Sequence, residues 1–308
     1  VGEMIMDPNN PNKIFVNMWE HRRYPWFFES GGASSGLYVT QDGGDNWKKL
    51  SAEENGLPKG NLGRMGLAIS KANSSKVYAL IESSKNALYV SEDGGGKFTM
   101  INDKAEIGDR PFYYFEIHAD PKNENRVYTL YSRVGITEDG GKSFRELLSY
   151  SGVHPDHHAW YINPNDPSLL INGNDGGLNV SRDMGKTWFF AEGITVGQFY
   201  HINVDNEVPY NVYGGMQDNG SWTGPSYLWR GDGIRNTYWQ EVSFGDGFDV
   251  VSHPANSRYG YTMSQGGNVS RFDKLTGHNR TVRPTHPDKN VFLRCSYNKV
   301  FLWCLIIH

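Results

Sequence analysis

The feature that most constrains the fold is a short motif that occurs four times. It reads Ser/Thr-x-Asp-x-Gly-x-x-Trp/Phe and begins at Thr40, Ser91, Thr137 and Ser181, so that successive copies start 51, 46 and 44 residues apart. A period of about 40 to 50 residues is typical of propeller blades and related repeat architectures. Each copy therefore marks one structural repeat.

A second repeat consists of a polar turn followed by an apolar strand. It recurs six times, beginning at Asp7, Ser70, Asp120, Asn163, Asp205 and His253. Runs of strand length and β-forming composition, such as residues 64–70, 76–82 and 87–91, lie between the markers. Each repeat thus predicts four short antiparallel strands, and no stretch is predicted to be helical. The fold class is all-β, a β-propeller.

The predicted propeller covers residues 1–294 and is part of a larger one. Its blades are expected at about 1–50, 63–101, 112–148, 153–191, 197–243 and 246–285, with a further blade starting at 291–298. Residues 299–308 form an apolar tail that departs from the repeat, as a truncated or misread terminus would.

The motif aspartates are predicted to be structural. Their carboxylates can accept hydrogen bonds from turn amides, while the glycine adopts a positive φ and the aromatic ring packs between sheets. This expectation covers Asp42, Asp93, Asp139 and Asp183.

Composition and charge limit the kinds of partner that are expected. The net charge is −4 and the calculated pI is near 6.2, so a basic surface for nucleic acid is not expected. No stretch approaches the roughly 18 apolar residues that a transmembrane helix needs. The two cysteines, Cys295 and Cys304, do not define a disulfide framework.

Meander topology separates two rims. The turns between first and second strands and between third and fourth strands share one end of each blade, here called the turn rim. The loops between second and third strands, and those that join blades, share the other end, here called the loop rim. Because loops on a rigid scaffold carry binding groups, function is expected on the loop rim.

Several carboxylates are expected on the loop rim. Asp175 and Asp218 occupy equivalent loops in adjacent blades, and Asp156 and Asp246 can approach them from joining loops. Two carboxyl groups about 5 to 10 Å apart are what glycoside hydrolysis requires. The alternative is that these aspartates cap tight turns.

The stretch "HPDHH" places His154, Asp156, His157 and His158 together. Imidazole and carboxylate groups can bind zinc, but the spacing matches no defined zinc motif, so hydrogen-bonding or proton-transfer histidines are favoured over a metal. No cofactor is expected to be required.

An insertion that begins at Met18 is a candidate substrate platform. Tryptophan rings beside arginines suit sugar rings or acidic sugars, whereas the alternative is a loop packed against a neighbouring blade. Its candidate binding residues are Trp19, Glu20, His21, Arg22, Arg23 and Trp26. Further candidates on the same rim are Arg64, Arg110, Gln198, Gln217 and Asn219.

Long strings of the sequence resemble a known group of proteins. They are "WEHRRYPWFFESGGASSGLYVTQDGG", "DHHAWYINPNDP" and "NDGGLNVSRDMGKTW". The chain is similar to the bacterial BNR-repeat, or Asp-box, "glycosyl hydrolase" proteins of the sialidase superfamily. These are related to sortilin (Vps10) and to xyloglucanase-type propellers.

The resemblance implies a secreted or periplasmic protein that acts on an oligo- or polysaccharide by carboxylate acid and base chemistry. In xyloglucanase-type enzymes a catalytic aspartate lies in an Asp-x-Gly-Gly loop, which Asp175 in "NDGGLNV" resembles. The alternative implied by sortilin is a propeller that binds a protein or peptide without catalysis.

Overall fold

Within the residues that the structure describes, the chain forms six four-stranded antiparallel sheets. The computed structural model describes residues 1–24, 26–194 and 196–283. Each sheet is a meander whose strands pair in chain order, so the chain folds as a β-propeller of four-stranded blades. The predicted fold class is confirmed.

The described residues fall into two compact units, of which the first ends at Ile194. The first unit contains four blades. Blade 1 consists of Glu3–Asp7, Asn10–Met18, Gly36–Thr40 and Lys48–Lys49. Blade 2 consists of Met65–Ser70, Asn73–Ile81, Ala87–Ser91 and Thr99–Asn102. Blade 3 consists of Glu116–Asp120, Asn123–Leu130, Val134–Thr137 and Arg145–Leu148. Blade 4 consists of His157–Ile162, Leu170–Asn174, Gly177–Ser181 and Phe189–Phe190.

The second unit contains two blades within residues 196–283. Blade 5 consists of Phe199–Val204, Asn211–Met216, Ser221–Pro225 and Gln240–Ser243. Blade 6 consists of Val250–Ser252, Tyr259–Ser264, Asn268–Asp273 and His278–Thr281.

Apolar side chains between neighbouring blades form the core of each unit. Between blades 1 and 2, Phe15 and Leu37 are fully buried against Leu67 and Phe98. Phe98 is the aromatic residue that ends the repeated motif of blade 2, so the motif supplies an inter-blade contact as well as a turn. In the second unit Tyr213 and Phe272 have the same role between blades 5 and 6.

The insertion in blade 1 contains an extra hairpin, with strands His21–Tyr24 and Phe27–Ser30. It projects from the loop rim because it joins the second and third strands of the blade.

The expectation of no helix is wrong in detail. One helical turn, Ala52–Asn55, follows blade 1, and 3₁₀ turns occur at Ala105–Ile107, Asn236–Tyr238 and Gln265–Gly267. Ser51 caps the helix by accepting a hydrogen bond from the Glu54 amide at 3.1 Å, a Ser-x-x-Glu signature that is present in the sequence.

All helices in the described ranges are far too short to cross a bilayer. The predicted blade start at 291–298, the tail at 299–308 and both cysteines lie outside the described residues.

Candidate functional site

Asp183 lies on the turn rim of blade 4 with both carboxylate oxygens engaged. Its Oδ1 accepts hydrogen bonds from the Ser181 hydroxyl and the Thr187 amide, each at 2.8 Å, and Thr187 Oγ1 donates to Oδ2 at 2.6 Å. The Ser181 oxygen in turn accepts from the Gly185 amide at 2.8 Å. The same pairing of a Ser or Thr hydroxyl and a turn amide on one carboxylate oxygen recurs at Asp42, Asp93 and Asp139.

These hydrogen bonds favour the ionised carboxylates. The side chain and amide of Thr187 lower the pKa of Asp183 to about 2. At Asp139, burial opposes the shift, but hydrogen bonds from Ser143 still lower the pKa to about 2. Turn-rim aspartates are therefore anions whose hydrogen-bonding capacity is used within the fold.

Asp175 occupies a different position, in the two-residue connection between the second and third strands of blade 4. The cap of this turn is Asn174, whose Oδ1 accepts hydrogen bonds from the Gly176 amide at 2.9 Å and the Gly177 amide at 3.1 Å. Because Asn174 satisfies these amides, the Asp175 carboxylate is directed elsewhere. Its Oδ1 lies 3.7 Å from Nε2 of His158.

His158 connects Asp175 to a set of aromatic rings. The ring centroid of Tyr113 lies 5.0 Å from that of His158 in an edge-to-face arrangement, and Tyr114 lies at 5.7 Å. The His158 side chain remains 36% exposed and that of Asp175 28% exposed, so both groups are accessible to a ligand.

Arg110 lies over three consecutive rings of the loop that joins blades 2 and 3. Its guanidinium carbon is 5.3, 4.8 and 5.6 Å from the ring centroids of Phe112, Tyr113 and Tyr114. These distances are within the range of cation–π attraction, so the arginine holds the loop together as an aromatic surface.

The hairpin of blade 1 extends this surface. Ring centroids are 4.4 Å apart for Trp19 and His21, 5.7 Å for His21 and Phe28, and 4.8 Å for Phe28 and Phe112. The chain of contacts from blade 1 to blade 4 is here called the aromatic track; its members are Trp19, His21, Phe28, Phe112, Arg110, Tyr113 and His158.

The track unites some predicted residues with others that sequence reasoning missed. Trp19, His21, Arg110 and His158 were singled out by residue type. Residue type alone does not point to Phe112, Tyr113 and Tyr114, although the string "RPFYYF" is an aromatic run in a predicted joining loop. This aromatic run is the sequence signal by which these three residues can be found.

Beside Trp19 lies a charged cluster at the loop-rim ends of the first three blades. Arg64 forms a short ion pair with Glu116, donates to the Pro111 carbonyl at 3.3 Å, and lies 5.6 Å from the Trp19 ring. Glu3 belongs to the same cluster. Burial, reinforced by the charge of Glu116 and opposed by Arg64, raises the pKa of Glu3 to about 7.

A cavity of about 460 Å³ opens on the loop rim of blade 3. Asp109, Arg133 and Tyr150 are among its lining residues. Asp109 accepts a hydrogen bond from Ser132 at 3.1 Å and acts electrostatically on Tyr114, which neighbours Tyr113 of the track. A cavity of this size accommodates a small ligand.

A second cavity, of about 470 Å³, opens on the turn rim beside Trp47. Its carboxylates, Asp42 and Asp93, are engaged by their own turns. This arrangement leaves them little capacity for a ligand.

The three histidines of "HPDHH" do not converge. His154 Nδ1 contacts the Pro155 carbonyl at 3.1 Å, whereas His157 is fully buried with Nδ1 3.0 Å from Asn172 Oδ1. Burial lowers the pKa of His157. His158 faces Asp175 instead.

Within residues 1–24, 26–194 and 196–283, no group of three or more metal-ligating side chains is brought together. Asp156 has a left-handed φ of 61° and lies near Tyr114 and His157.

Other predicted carboxylates lie in the second unit. Asp218 has a left-handed φ of 59°, and its amide donates to Oδ1 of Asp246 at 2.9 Å. The Asp246 amide donates to Gln265 Oε1 at 2.9 Å. These hydrogen bonds link the loop of Asp218 to the loop of Asp246.

Gln217 and Asn219 flank Asp218 in the same loop. Gln217 accepts a hydrogen bond from Tyr200, whose ring stacks on Phe248 at 5.2 Å. Asn219 donates to the Gln217 carbonyl at 3.1 Å.

The remaining predicted residues do not join the track. Glu20 accepts hydrogen bonds from the amide and hydroxyl of Ser34, which lower its pKa and tie the insertion to itself. Trp26 is 81% exposed and stacks on Tyr24 at the hairpin tip. The side chains Arg22, Arg23 and Gln198 are exposed.

No family model and no curated protein matches this chain. Among solved structures it is similar to the GH74 enzyme of Niastella koreensis, with 14% identity and a TM-score of 0.46, over 91% of this chain and 45% of that one. An ancestral GH74 enzyme has 17% identity and a TM-score of 0.46, over 91% and 40% of the two chains. YCF48 from Cyanidioschyzon merolae has 13% identity and a TM-score of 0.41, over 90% and 83%.

The chain thus spans less than half the length of these GH74 enzymes. Identities and TM-scores this low do not transfer a function to it.

Proposed function

We propose that this protein binds a glycan along the aromatic track and hydrolyses a glycosidic bond beside Asp175. The observation that carries the proposal is the state of Asp175. Asn174 caps the turn in its place, so the Asp175 carboxylate is available and faces His158 at the end of the track. Secretion or export to the periplasm accords with such a substrate.

Aromatic rings suit the apolar faces of sugars because they bury a large area with few rotatable bonds. In the track, these rings are interleaved with a guanidinium and two imidazoles, which can hydrogen-bond to hydroxyl groups around the ring faces. The succession of rings from Trp19 to Tyr113 favours an extended glycan over a single sugar.

In this proposal Asp175 acts as the base or the nucleophile. An ionised carboxylate can remove a proton from water as that water attacks the anomeric carbon, or it can attack the carbon itself. His158, 3.7 Å away, orients the carboxylate and stabilises its charge when protonated.

The first test is release of reducing ends from a panel of polysaccharides by the whole chain and by Asp175→Asn. We expect the native chain to cleave at least one glycan. The substitution should lower the rate by about 10²-fold or more, because it removes the proton acceptor without changing side-chain size.

A second variant, Tyr113→Ala, tests the track. It should weaken binding of the same glycan by about tenfold, as loss of one stacked ring predicts. Phe189→Ala, which removes a ring that is 68% exposed outside the track, is the matched control and should bind normally.

Binding without cleavage, with normal affinity in Asp175→Asn, would make the protein a glycan-binding module. If no glycan is bound or cleaved, the proposal fails and the sortilin-like hypothesis of a peptide ligand becomes the next to test.

A further inference from the structure

Asp175 departs from the behaviour of other aspartates in the protein's turns. A carboxylate in a turn commonly accepts a hydrogen bond from the amide two residues further along the chain. Five aspartates do so, with N···O distances of 2.7 to 3.2 Å: Asp7, Asp120, Asp166, Asp205 and Asp273. The equivalent amide for Asp175 is that of Gly177, and it donates to Asn174 instead, at 3.1 Å. The contacts that hold Asn174 in this role therefore decide where the Asp175 carboxylate lies.

The amide group of Asn174 has to point its oxygen at the turn and its nitrogen away from it. That nitrogen donates a hydrogen bond to Asn172 Oδ1 at 3.0 Å. This bond fixes the orientation in which Asn174 Oδ1 accepts from the Gly176 and Gly177 amides. If the group rotated by 180°, these bonds would break and its N–H donors would face the two turn amides.

Asn172 is itself held in one orientation. It lies in the second strand of blade 4 and is fully buried. Its Nδ2 donates to the Ala159 carbonyl at 3.2 Å, and because a carbonyl only accepts, Oδ1 must point the other way, towards Asn174 and His157. Asparagine is depleted in strands, and a buried amide is costly unless it is hydrogen-bonded. Both polar atoms of Asn172 meet this requirement.

His157 completes the network from the neighbouring strand. Its Nδ1 lies 3.0 Å from Asn172 Oδ1, and since that oxygen only accepts, Nδ1 carries the proton. The imidazole is fully buried, and the backbone amide of His157 donates to the Tyr131 carbonyl of blade 3 at 3.0 Å. The next residue, His158, is exposed and faces Asp175. One strand thus supplies both the buried end of the network and the partner of the carboxylate.

We propose that Asn172 is a positioning residue for hydrolysis. It acts through Asn174 to keep the Asp175 carboxylate out of the turn and facing His158. This inference rests on the function proposed for Asp175. Without Asn172, the Asn174 amide group rotates and releases the Gly177 amide. The Asp175 carboxylate then accepts from that amide, as the aspartates of other turns do, and leaves His158.

The first test is Asn172→Ala in the whole chain, assayed on a glycan that the native chain cleaves. Displacement of a reacting group by about 1 Å can cost about 10²-fold in rate, so kcat should fall by about that factor. KM should change little, because no residue of the aromatic track is altered. Asn172→Asp is the conservative variant. It keeps an oxygen that can accept from Asn174 and His157, so it should retain most of the native kcat.

Asn55→Ala is the matched control. Asn55 is also buried and hydrogen-bonded at both polar atoms, because Oδ1 accepts from the Ser51 amide at 2.9 Å and Nδ2 donates to the Gly96 carbonyl at 2.7 Å. Its contact with Gly96 is to the turn-rim motif of blade 2. Both alanine variants should lower the free energy of unfolding. Only Asn172→Ala should lower kcat per folded molecule.

A double-mutant cycle distinguishes positioning from general stabilisation. In the Asp175→Asn background, Asn172→Ala should cause no further loss of kcat, because its effect passes through the carboxylate that is already missing. Crystal structures of the native protein and of Asn172→Ala provide a measurement that needs no activity. In the variant, Asp175 should accept a hydrogen bond from the Gly177 amide.

The outcomes separate the two proposals. If the native chain cleaves the glycan and Asn172→Ala keeps its kcat, or loses as much in the Asp175→Asn background, the positioning role is wrong and hydrolysis stands. An Asp175 side chain that still faces His158 in the variant structure also overturns the role. If the native chain cleaves no glycan, the hydrolysis proposal fails, and the variant structure alone decides whether Asn172 controls the direction of Asp175.

Discussion

One strand of blade 4, Gly177–Ser181, has an aspartate just beyond each end, and the two carboxylates differ in what binds them. Asp183, on the turn rim, accepts hydrogen bonds from Ser181 and Thr187. Asp175, on the loop rim, leaves turn capping to Asn174 and faces His158. Residue type and a neighbouring glycine do not distinguish a structural aspartate from one that is available for chemistry. The distinction lies in whether hydrogen-bond donors of the fold already engage the carboxylate oxygens.

The largest expected effect comes from exchanging the two aspartates for asparagine in turn. Asp175→Asn should lower glycan hydrolysis by about 10²-fold or more with an unchanged melting temperature. Asp183→Asn should lower the melting temperature and leave the activity per folded molecule unchanged. If both variants only melt earlier, the two rims do not differ in function.

The turn rim can be weakened through its buried hydroxyl. Ser181→Ala removes the donor to Asp183 and the acceptor for the Gly185 amide. Because this leaves the buried Gly185 amide unpaired, we expect the free energy of unfolding to fall by about 1 to 3 kcal/mol. Urea unfolding measures this, with Ser84→Ala at an exposed position as control. Equal stability of both variants would contradict the role assigned to the motif.

The two rims should also respond oppositely to pH. The pKa values of Asp139 and Asp183 are lowered to about 2 from an ordinary value of 3.8, so their contribution to stability is present at neutral pH and is lost as pH falls from about 4 to 2. Glu3 has a raised pKa, so its contribution is lost as pH rises from 4.5 to about 7.

Melting temperatures measured from pH 2 to 8 test this difference. Asp183→Asn should flatten the acid side of the curve and Glu3→Gln the neutral side. If native protein and both variants gave the same curve, the two rims would not differ in their electrostatic contribution to stability.

The smallest effect is expected at Met184. It has a φ of 62° at a motif position where the other three copies have glycines, with φ of 76° to 78°. A side chain in the left-handed region costs about 1 to 2 kcal/mol. Met184→Gly should therefore raise the free energy of unfolding by about 1 kcal/mol. The gain is reduced by the larger backbone entropy that glycine loses on folding. A decrease on urea unfolding would show that the Met184 side chain stabilises the turn.

Much of the fold could be predicted because its determinants are local. The strands predicted at 64–70, 76–82 and 87–91 correspond to Met65–Ser70, Asn73–Ile81 and Ala87–Ser91. The short helix was missed because a single turn has no apolar period, although its cap from Ser51 to Glu54 is readable.

The candidate site was only partly predictable. The choice of the loop rim follows from counting strands, and residue type pointed to Asp175 and Arg110. That Asn174 rather than Asp175 caps the turn depends on side-chain direction, and the sequence "NDGG" allows either residue to do so. Glu3, at the start of a strand, has no local signal that separates it from any other glutamate.

The sequence by itself determined the repeat, the four-stranded blade and the two rims, because turn chemistry and alternation act over a few neighbouring residues. Only the tertiary structure decided which groups meet. The contacts of Trp19 with Arg64, of Phe28 with Phe112 and of His158 with Tyr113 join different blades. The protonation of Glu3 likewise depends on burial and on Glu116, which is distant in the chain, and no local pattern encodes such a field.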